Sequence, residues 1–385
     1  MTFIGQSTRR VEDERFLTGH GTFVDDVNLP GQMFAYVLRS PHAHAAIERI
    51  DTGSGTVFTY ADIAGLGLML CNTAVATVGP MLVPPRPALA NGKVRHVGDP
   101  VAFVVAETGA AARDAAERVV VDYRPLPPVV DAAAALAPGA PLLWDEVPAN
   151  QSFRFVKGDP DMVRGAMARA THVVELELIN NRLIIAPTET RAAIGRFEHG
   201  TFHLFVTAAG VHAIRDQLSG VFGVPKEQVL VSAPDVGGGF GIKNALYPEW
   251  VMLLWAARAL GRPIKWVEDR AEDFVSTAQG RDNRTTARLG LDADGRFLAL
   301  DVSTIANLGA YMSGGGPGSS TNAPSNAMGS GYVIPAIAMD VRAAFTNTVP
   351  IDAYRGAGKP EANYLLEPMP SRGMGSIRRS CGAVT

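Results

Sequence analysis

The chain has 385 residues, of which 47% are hydrophobic and 19% are charged, and its formal net charge is -3. This length is enough for about two or three domains with a sizeable core, and the composition is typical of a soluble globular protein. A pI near 6.3 gives no basic footprint for a polyanion,. These values exclude a disordered chain and argue against nucleic-acid binding.

The apolar stretches and the two cysteines of the chain indicate the compartment in which it works, which we expect to be reducing. The longest apolar stretch, 250–260, contains Arg258 and is too short to span a bilayer, and residues 1–16 hold no apolar run of the kind a signal peptide needs,. Cys71 and Cys381 are far apart, and an iron–sulfur cluster would need four thiolates from the same chain,. We expect a cytoplasmic protein with no membrane partner and no cluster of its own.

The first third of the chain mixes strand and helix patterns. Strands are predicted at "MFAYVLR" and "VAFVVAE" within 33–106, and "TGAAARDAAERVVVDY" predicts a helix with Thr108 as its N-cap,. A Pro- and Ala-rich stretch over 126–150 has no clear period and predicts a linker between two domains,.

Beyond residue 150 the two element types again alternate, which favours an α+β (mixed α/β) fold. A helix over "YPEWVMLLWAARAL" is well marked, because Pro248 suits its first turn, Gly261 its end, and apolar residues surround it,. The segment 313–331 is rich in Gly and Ser and predicts a loop, either a flexible connection or a cover over a site. The other predicted elements are the strands "HVVELEL", "TFHLFV", "QVLVSA" and "TTARLGL" and the helix "VHAIRDQLSGVFG".

A glycine-rich loop, "DVGGGFGIKN", joins a predicted strand to the buried helix. Bare backbone N–H groups in such a loop can bind a phosphate. The dinucleotide fingerprint fails, because Ile242 and Asn244 stand where its last glycine is required, and the P-loop pattern fails on both sides of Lys243,. Two interpretations stay open: a tight turn that needs a positive φ, or cofactor binding through the backbone.

A second loop, "IDAYRGAGKPEANYLLE", places glycines beside a cation. Gly356 and Gly358 leave the backbone around Arg355 bare, and the planar guanidinium suits a phosphate or an oxo group,. A plain turn with a surface arginine is the alternative. Two such loops in one chain favour a cofactor that carries phosphates.

Five long motifs, in the same order, resemble the molybdenum-binding large subunit of the xanthine dehydrogenase, aldehyde oxidase and carbon monoxide dehydrogenase family. The resemblance extends from Gly5 to about Glu367. It implies a hammerhead-like α/β domain over 1–125, the linker over 126–150, the first part of a molybdopterin-binding domain over 151–367 and an aberrant tail over 368–385. The motifs are "GQSTRRVEDERFLTGHGTFVDDVNLPGQMFAYVLRSPHAHAAIERID", "GKVRHVGDPVAFVVAET", "APDVGGGFGIKNALYPE", "WVEDRAEDFVSTAQGRD" and "AYRGAGKPEANYLLE".

The resemblance also implies a cofactor and a reaction. In the family the glycine loop packs against molybdopterin, here expected in its cytosine dinucleotide form with molybdenum, and the arginine loop lies on the other side of it. The reaction is hydroxylation of a carbon with water as the oxygen source and a glutamate as general base. Electrons leave through an FAD-binding medium subunit and a [2Fe-2S] small subunit. The residues expected to bind the cofactor are Gly238, Gly239, Phe240, Gly241, Arg355 and Gly356.

Departures from the family pattern bear on the substrate. Ala209 replaces a glutamine whose amide reaches a molybdenum ligand, and a methyl group donates no hydrogen bond,. Gly356 stands where carbon monoxide enzymes carry a copper-bridging cysteine, and Asn244 and Ala357 replace a carboxylate and an aromatic ring of purine-specific members. With Ala209, Asn244 and Ala357 in the substrate pocket, we expect an aldehyde or a heterocycle as substrate.

The end of the chain is the largest departure. The family's catalytic glutamate lies in a second half, so no catalytic or metal-ligating residue is assigned here. One set of codons for 375–385, read in the neighbouring frame, gives a sequence that resembles the expected continuation, and our hypothesis is a frameshift. We expect no turnover from this chain alone. The alternative is a non-catalytic truncated paralogue that binds partner subunits or a cofactor.

Several other polar side chains receive structural interpretations. His42 and His44 lie two apart without a third ligand, which favours a structural pair over a metal site,. His212 is expected to open a helix. Glu175 and Glu249 are interpreted as surface or capping carboxylates, and Asp235 is expected to orient or start the glycine loop,.

Overall fold

A computed structural model describes residues 4–329 and 331–369. These residues form fifteen strands in three sheets, together with eleven α-helices. The strands are β1 (Met33–Arg39), β2 (Ala45–Asp51), β3 (Thr56–Phe58), β4 (Lys93–Val94), β5 (Pro100–Ala106), β6 (Val120–Pro125), β7 (Gln151–Gly158), β8 (His172–Asn180), β9 (Ala192–Glu198), β10 (Thr201–Val206), β11 (Val229–Ser232), β12 (Ile264–Val267), β13 (Asn283–Leu291), β14 (Phe297–Gly309) and β15 (Ala336–Phe345). The helices are α1 (Asp13–Leu17), α2 (Tyr60–Ile63), α3 (Gly109–Glu117), α4 (Ala132–Ala135), α5 (Pro160–Met167), α6 (Val211–Phe222), α7 (Pro248–Leu260), α8 (Arg270–Ser276), α9 (Gly316–Ser320), α10 (Asn322–Ala327) and α11 (Lys359–Leu366).

The largest sheet has seven strands in the order β11-β10-β9-β12-β1-β5-β3. It is mixed, because β1 runs parallel to β12 and β10 parallel to β11, whereas the other neighbours are antiparallel. Strands from the first 106 residues thus share one sheet with strands from 192–267. This sheet carries the largest hydrophobic core, in which Trp250, Leu253 and Trp266 are buried.

Helix α7 lies at the centre of that core. Its first turn contains Pro248, and Gly261 ends it in the left-handed conformation with φ +67°,. Nine of its thirteen residues are buried, which confirms the prediction from its apolar surroundings. The glycine loop leads into helix α7, so the buried helix fixes the position of the end of the loop.

The second sheet has five strands in the order β7-β15-β14-β13-β8. Buried and exposed residues alternate along most of β8 and β13, since one face of the sheet covers a second core and the other faces solvent,. A third sheet, β4-β2-β6, is small. The predicted mixed α/β class is confirmed.

Two predictions of local structure are wrong. The helix predicted over 108–123 ends at Glu117, with Thr108 Oγ1 accepting the Ala111 N–H as predicted, and the valines that follow pair with β2 as strand β6,. The segment 313–331, predicted as a loop, contains α9 and α10. Its glycines permit close packing, because a Cβ on Gly315 would lie 2.3 Å from Asp352 Oδ1.

The linker predicted over 126–150 contains the short helix α4, capped by Asp131, and buries Trp144. The domain boundaries remain a prediction. The aberrant tail predicted over 368–385 lies mostly outside the described residues, which end at 369.

Candidate functional site

The glycine loop lies between β11 and α7, and its backbone approaches a second loop very closely. Gly241 has φ +115°, and a Cβ placed there would lie 2.3 Å from the carbonyl oxygen of Ala353. Phe240 adopts a positive φ of 51° and its side chain is 44% exposed. The loop therefore needs glycine at 241 for contact with the arginine loop, and it presents an aromatic ring at the surface.

The arginine loop joins the glycine loop through the backbone. The Arg355 N–H donates to the Phe240 carbonyl oxygen at 2.8 Å, and the guanidinium carbon of Arg355 lies 6.0 Å from the centre of the Phe240 ring. Gly356, with φ +91°, is exposed beside it. The two loops that the sequence singled out are thus neighbours, and the Phe240 and Arg355 side chains are exposed where the loops meet.

Several donors at this junction have no acceptor among the described residues. Within 4–329 and 331–369, the backbone N–H groups of Gly238, Gly239, Phe240 and Gly241 donate to no protein atom, and Arg355 forms no ion pair. Backbone donors in folded proteins are nearly always satisfied by protein, water or ligand. Four consecutive free N–H groups beside a free guanidinium can donate hydrogen bonds to an anion or an oxo group.

A buried ion pair supports the glycine loop from below. Glu189 accepts the Gly237 N–H at 2.7 Å, and the Lys243 ammonium donates to the carboxylate and the carbonyl oxygen of Glu189 at 3.1 and 2.8 Å. Burial lowers the pKa of Lys243, and the neighbouring Glu189 opposes that shift,. A Cβ on Gly237 would lie 2.5 Å from the Glu189 Cβ, so this contact also requires glycine.

Arg281 supports the arginine loop in a comparable way. It directly precedes Asp282 and β13, and it donates to the carbonyl oxygens of Tyr354 and Arg355, both at 3.1 Å. Its guanidinium also pairs with Glu361 at 3.2 Å. Glu189 and Arg281 therefore hold the backbone on the two sides of the site. The N–H groups of 238–241 and the Arg355 guanidinium remain available to a ligand.

Two family models match the chain. The molybdopterin cofactor-binding domain matches residues 143–372, and the aldehyde oxidase and xanthine dehydrogenase a/b hammerhead domain matches residues 18–127. The chain belongs to the aldehyde oxidase and xanthine dehydrogenase family of molybdopterin-binding proteins. The resemblance predicted from the motifs is confirmed, and so is the order of a hammerhead domain followed by a molybdopterin-binding domain.

Relatives of this molybdopterin-binding chain include characterised subunits and solved structures. It is 34% identical to the 6-hydroxypseudooxynicotine dehydrogenase complex subunit gamma of Paenarthrobacter nicotinovorans, over 95% of this chain and 47% of that protein. It is 35% identical to the carbon monoxide dehydrogenase large chain of Afipia carboxidovorans, over 94% and 47%. The crystal structure of quinoline 2-oxidoreductase from Pseudomonas putida 86 superposes with a TM-score of 0.89 at 34% identity, over 98% of this chain and 50% of that one. The chain spans about half the length of the curated relatives it matches.

The donors exposed where the two loops meet fit a molybdopterin cofactor, because the N–H groups of 238–241 and Arg355 can donate to its phosphate and oxo groups,. A Cβ on Gly241 would strike the Ala353 carbonyl oxygen and push the two loops apart. Through the part of the chain that the structure describes, no helix is long and apolar enough to cross a membrane.

The residues predicted for the substrate pocket of this molybdopterin-binding chain lie around the same loops. The Ala209 N–H donates to the Lys243 carbonyl oxygen at 3.0 Å, and the Ala209 methyl group is 3.8 Å from the position of a Cβ on Gly239. Asn244 and Ala209 are exposed. Ala357 closes the turn of the arginine loop through its N–H to the Tyr354 carbonyl oxygen at 2.8 Å. Their role toward a substrate stays a prediction.

The histidines and Asp235 occupy separate positions. His42 packs on Tyr123 with ring centres 4.9 Å apart, whereas His44 is buried and contacts the Pro127 carbonyl oxygen. His212 is exposed in the first turn of α6. Asp235 pairs with Arg15 and accepts the Thr22 N–H at 2.8 Å, which ties the N-terminal segment to the start of the glycine loop.

The interpretation of Glu249 as a surface carboxylate is wrong, whereas Glu175 is exposed on β8. Glu249 belongs to a buried ionic cluster, formed by Arg39, Arg191, Glu249, Glu268 and Glu272. Burial would raise the pKa of Glu249, but Arg191 and Arg39 outweigh it and lower the pKa to about 2,.

Sequence reasoning missed this cluster, Glu189 and Arg281. The partners in these contacts are far apart along the chain: Arg39 and Glu249 are 210 residues apart, and Glu189 and Gly237 are 48 apart. No local spacing marks such pairs. The charged residues inside otherwise apolar helix α7 were the one available signal for Glu249.

Proposed function

We propose that this chain binds a molybdopterin dinucleotide between the glycine loop and the arginine loop, as part of the large subunit of a molybdenum hydroxylase. Gly238, Gly239, Phe240 and Gly241 hold one side of the cofactor through their backbone. Arg355 and Gly356 hold the other side. The observation that carries this proposal is the group of unpaired donors around the Phe240–Arg355 contact.

The bound cofactor supplies the redox chemistry for hydroxylation of a carbon, with water as the oxygen source. The chain's own residues position it. The free backbone N–H groups at 238–241 orient an oxo or phosphate group without the bulk of side chains. Arg355 provides a permanent positive charge for the cofactor's phosphates, and Arg281 holds the carbonyl oxygens of this loop so that the cation stays in place,.

An N-heteroaromatic compound is the substrate class that we favour. Similarity supports it: quinoline 2-oxidoreductase and nicotine 6-hydroxylase are each 34% identical to this chain, whereas an aldehyde oxidoreductase from Desulfovibrio gigas is 25% identical. The small Ala209 and Ala357 side chains and the neutral Asn244 amide leave room for a flat ring and provide no charge for a purine,. An aldehyde is the second candidate.

Family membership also supports a proposal for the partners and the nucleotide. Relatives named as a large chain and as subunit gamma of a complex support an assembly of several subunits. We propose an FAD-binding medium subunit, a [2Fe-2S] small subunit and the cytosine dinucleotide form of molybdopterin. The whole protein would act inside the cytoplasm.

The cofactor proposal is tested on the natural complex, purified from its source. Molybdenum is counted by elemental analysis, and the nucleotide released by acid hydrolysis is identified by mass. We expect about one molybdenum and one CMP for each large subunit. Absence of both from an intact complex would overturn the cofactor proposal, and a different nucleotide would overturn the cytosine form alone.

The substrate class is tested separately on the same complex. Quinoline, nicotine and a matched set of aldehydes are offered with an artificial electron acceptor in water labelled with heavy oxygen. We expect label in a hydroxylated heterocycle. Turnover of aldehydes only would contradict the substrate class and leave the cofactor proposal standing.

A further inference from the structure

A small, partly open cavity of about 20 Å³ lies where β13 and β14 meet α10 and α11. A water molecule needs roughly 10–15 Å³ of such space, so the cavity has room for about one. Polar side chains line it from three elements and from the end of α9. They are Asn283, Thr285, Thr304, Ser320 and Glu361.

Two of these side chains direct unpaired oxygens into the protein. Glu361 is 9% exposed and Asn283 is 7% exposed, yet Glu361 Oε2 and Asn283 Oδ1 have no hydrogen-bond partner among the described residues. The other carboxylate oxygen of Glu361 is used by Arg281. Buried acceptors without a donor are costly, and those in native proteins are usually satisfied by ordered water.

The threonine pair in the same cavity offers the complementary group. Thr285 and Thr304 lie opposite each other on β13 and β14, with their hydroxyl oxygens 3.0 Å apart. One hydroxyl proton is used in that bond. The other is free to donate, so the threonine pair can donate a proton toward the two unpaired oxygens.

We propose that this cavity holds one structural water molecule. The water donates one proton to Glu361 Oε2 and the other to Asn283 Oδ1, and it accepts the free threonine proton. This pattern satisfies the two buried oxygens of the cavity that have no partner among the described residues. It needs neither the cofactor nor a partner subunit, so it stands apart from the proposed function.

The water has a positioning role because of where Glu361 lies. Helix α11 begins directly after the arginine loop, and Glu361 is in its first turn. With one carboxylate oxygen fixed by the water, the other is held toward Arg281, which in turn holds the carbonyl oxygens of Tyr354 and Arg355. The water thus links β13 to the backbone that carries Arg355.

The direct test is a crystal structure of the purified protein at a resolution that shows ordered solvent. We expect one density peak about 2.7–3.2 Å from both Glu361 Oε2 and Asn283 Oδ1. An empty cavity would overturn the proposal, as would an Asn283 amide turned so that its nitrogen donates straight to Glu361. A peak about 2.3–2.6 Å from six or more oxygen atoms would also overturn it, since that peak would be a cation.

A variant tests the same site in solution. Asn283→Leu fills the cavity with an apolar group of similar size and leaves Glu361 Oε2 facing hydrocarbon. We expect the Tm of Asn283→Leu to fall, and each kcal/mol lost from the free energy of unfolding corresponds to about 2–4 °C. The control is Thr286→Leu, an exposed position on β13, which should change the Tm by about 1 °C or less,. Equal Tm values for Asn283→Leu and the wild-type protein would contradict a bound water.

Discussion

Two arginines, Arg191 and Arg355, occupy opposite kinds of surroundings in this protein. Arg191 is completely buried in the ionic cluster, where it pairs with Glu249 at 3.0 Å and with Glu268 at 2.5 Å. Arg355 is exposed beside Phe240 and pairs with no carboxylate in the described parts of the chain. The comparison shows that the partners, and not the residue type, decide whether a guanidinium stabilises the fold or remains available to a ligand.

The same contrast separates the two regions as a whole. The ionic cluster joins Arg39 of β1 to carboxylates of α7 and α8, and its charged groups pair with one another inside the protein. In the described part of the chain, the N–H groups of 238–241 and the Arg355 guanidinium stay unpaired, while Glu189 and Arg281 hold the backbone beside them. A change in the cluster should therefore affect stability first, and a change at the loops should affect cofactor content first.

The largest effect on stability is expected for Arg191→Met. The variant leaves Glu249 and Glu268 as buried carboxylates with less compensation, which costs about 3–5 kcal/mol in the free energy of unfolding. Denaturant unfolding measures it. Arg196→Met is the control, because Arg196 is 37% exposed on β9 and pairs with the exposed Glu198, and this variant should cost about 1 kcal/mol or less,. Equal losses in the two variants would remove the contrast between buried and exposed arginines.

Gly241→Ala is expected to be the next most damaging change. Its Cβ would lie 2.3 Å from the Ala353 carbonyl oxygen, and the backbone has φ +115°, so we expect a loss of about 2–4 kcal/mol together with lower molybdenum content,. Gly223→Ala has a positive φ of 64° but nothing within 4 Å of its Cβ, and it should cost about 1 kcal/mol,. If the two variants retain the same molybdenum content, the close approach of the loops is not needed for binding.

Glu272→Gln tests the cluster through pH. Burial raises the pKa of Glu272 from 4.5 to about 7, although Arg39 acts in the opposite direction. Because the folded pKa is raised, the stability that the protonated carboxyl contributes is complete below pH 4.5 and is lost as the pH rises through about 7. Glutamine cannot ionise, so the wild-type protein should lose about 1–3 kcal/mol relative to the variant between about pH 5 and pH 8. Parallel pH profiles of the two proteins would show that the carboxyl is ionised throughout.

The smallest effect on stability is expected for Arg355→Met. The side chain is exposed and forms no ion pair among the described residues, so the free energy of unfolding should change by about 0.5 kcal/mol or less,. Thermal unfolding of the purified variant measures it. A loss comparable to that of Arg191→Met would mean that Arg355 holds the fold together.

The sequence predicts what local patterns encode. The ends of α7 follow from Pro248 and Gly261, and the alternation along β8 and β13 follows from one buried face,. The adjacency of the two loops was expected from the family resemblance and not from spacing. The residue pattern alone leaves a plain turn open as the interpretation of each loop.

Other features could not be predicted, for a physical reason. Glu189 lies under the glycine loop because β9 is next to β10 and β12 in the seven-stranded sheet, a relation that depends on the whole topology. The segment 313–331 looks flexible, yet its glycines serve close packing against Asp352 and Ile351. Composition shows that glycine is present. It does not show whether glycine is required for a positive φ or for a close approach of neighbouring atoms.

The central claim is that the glycine loop and Arg355 bind the cofactor. The most direct measurement is the molybdenum and CMP content of the Arg355→Met complex beside that of the wild type, at matched stability. We expect a loss of about tenfold or more in both, since one charge-assisted contact contributes about 1.5–3 kcal/mol. Full molybdenum and CMP content in a correctly folded Arg355→Met complex would contradict it.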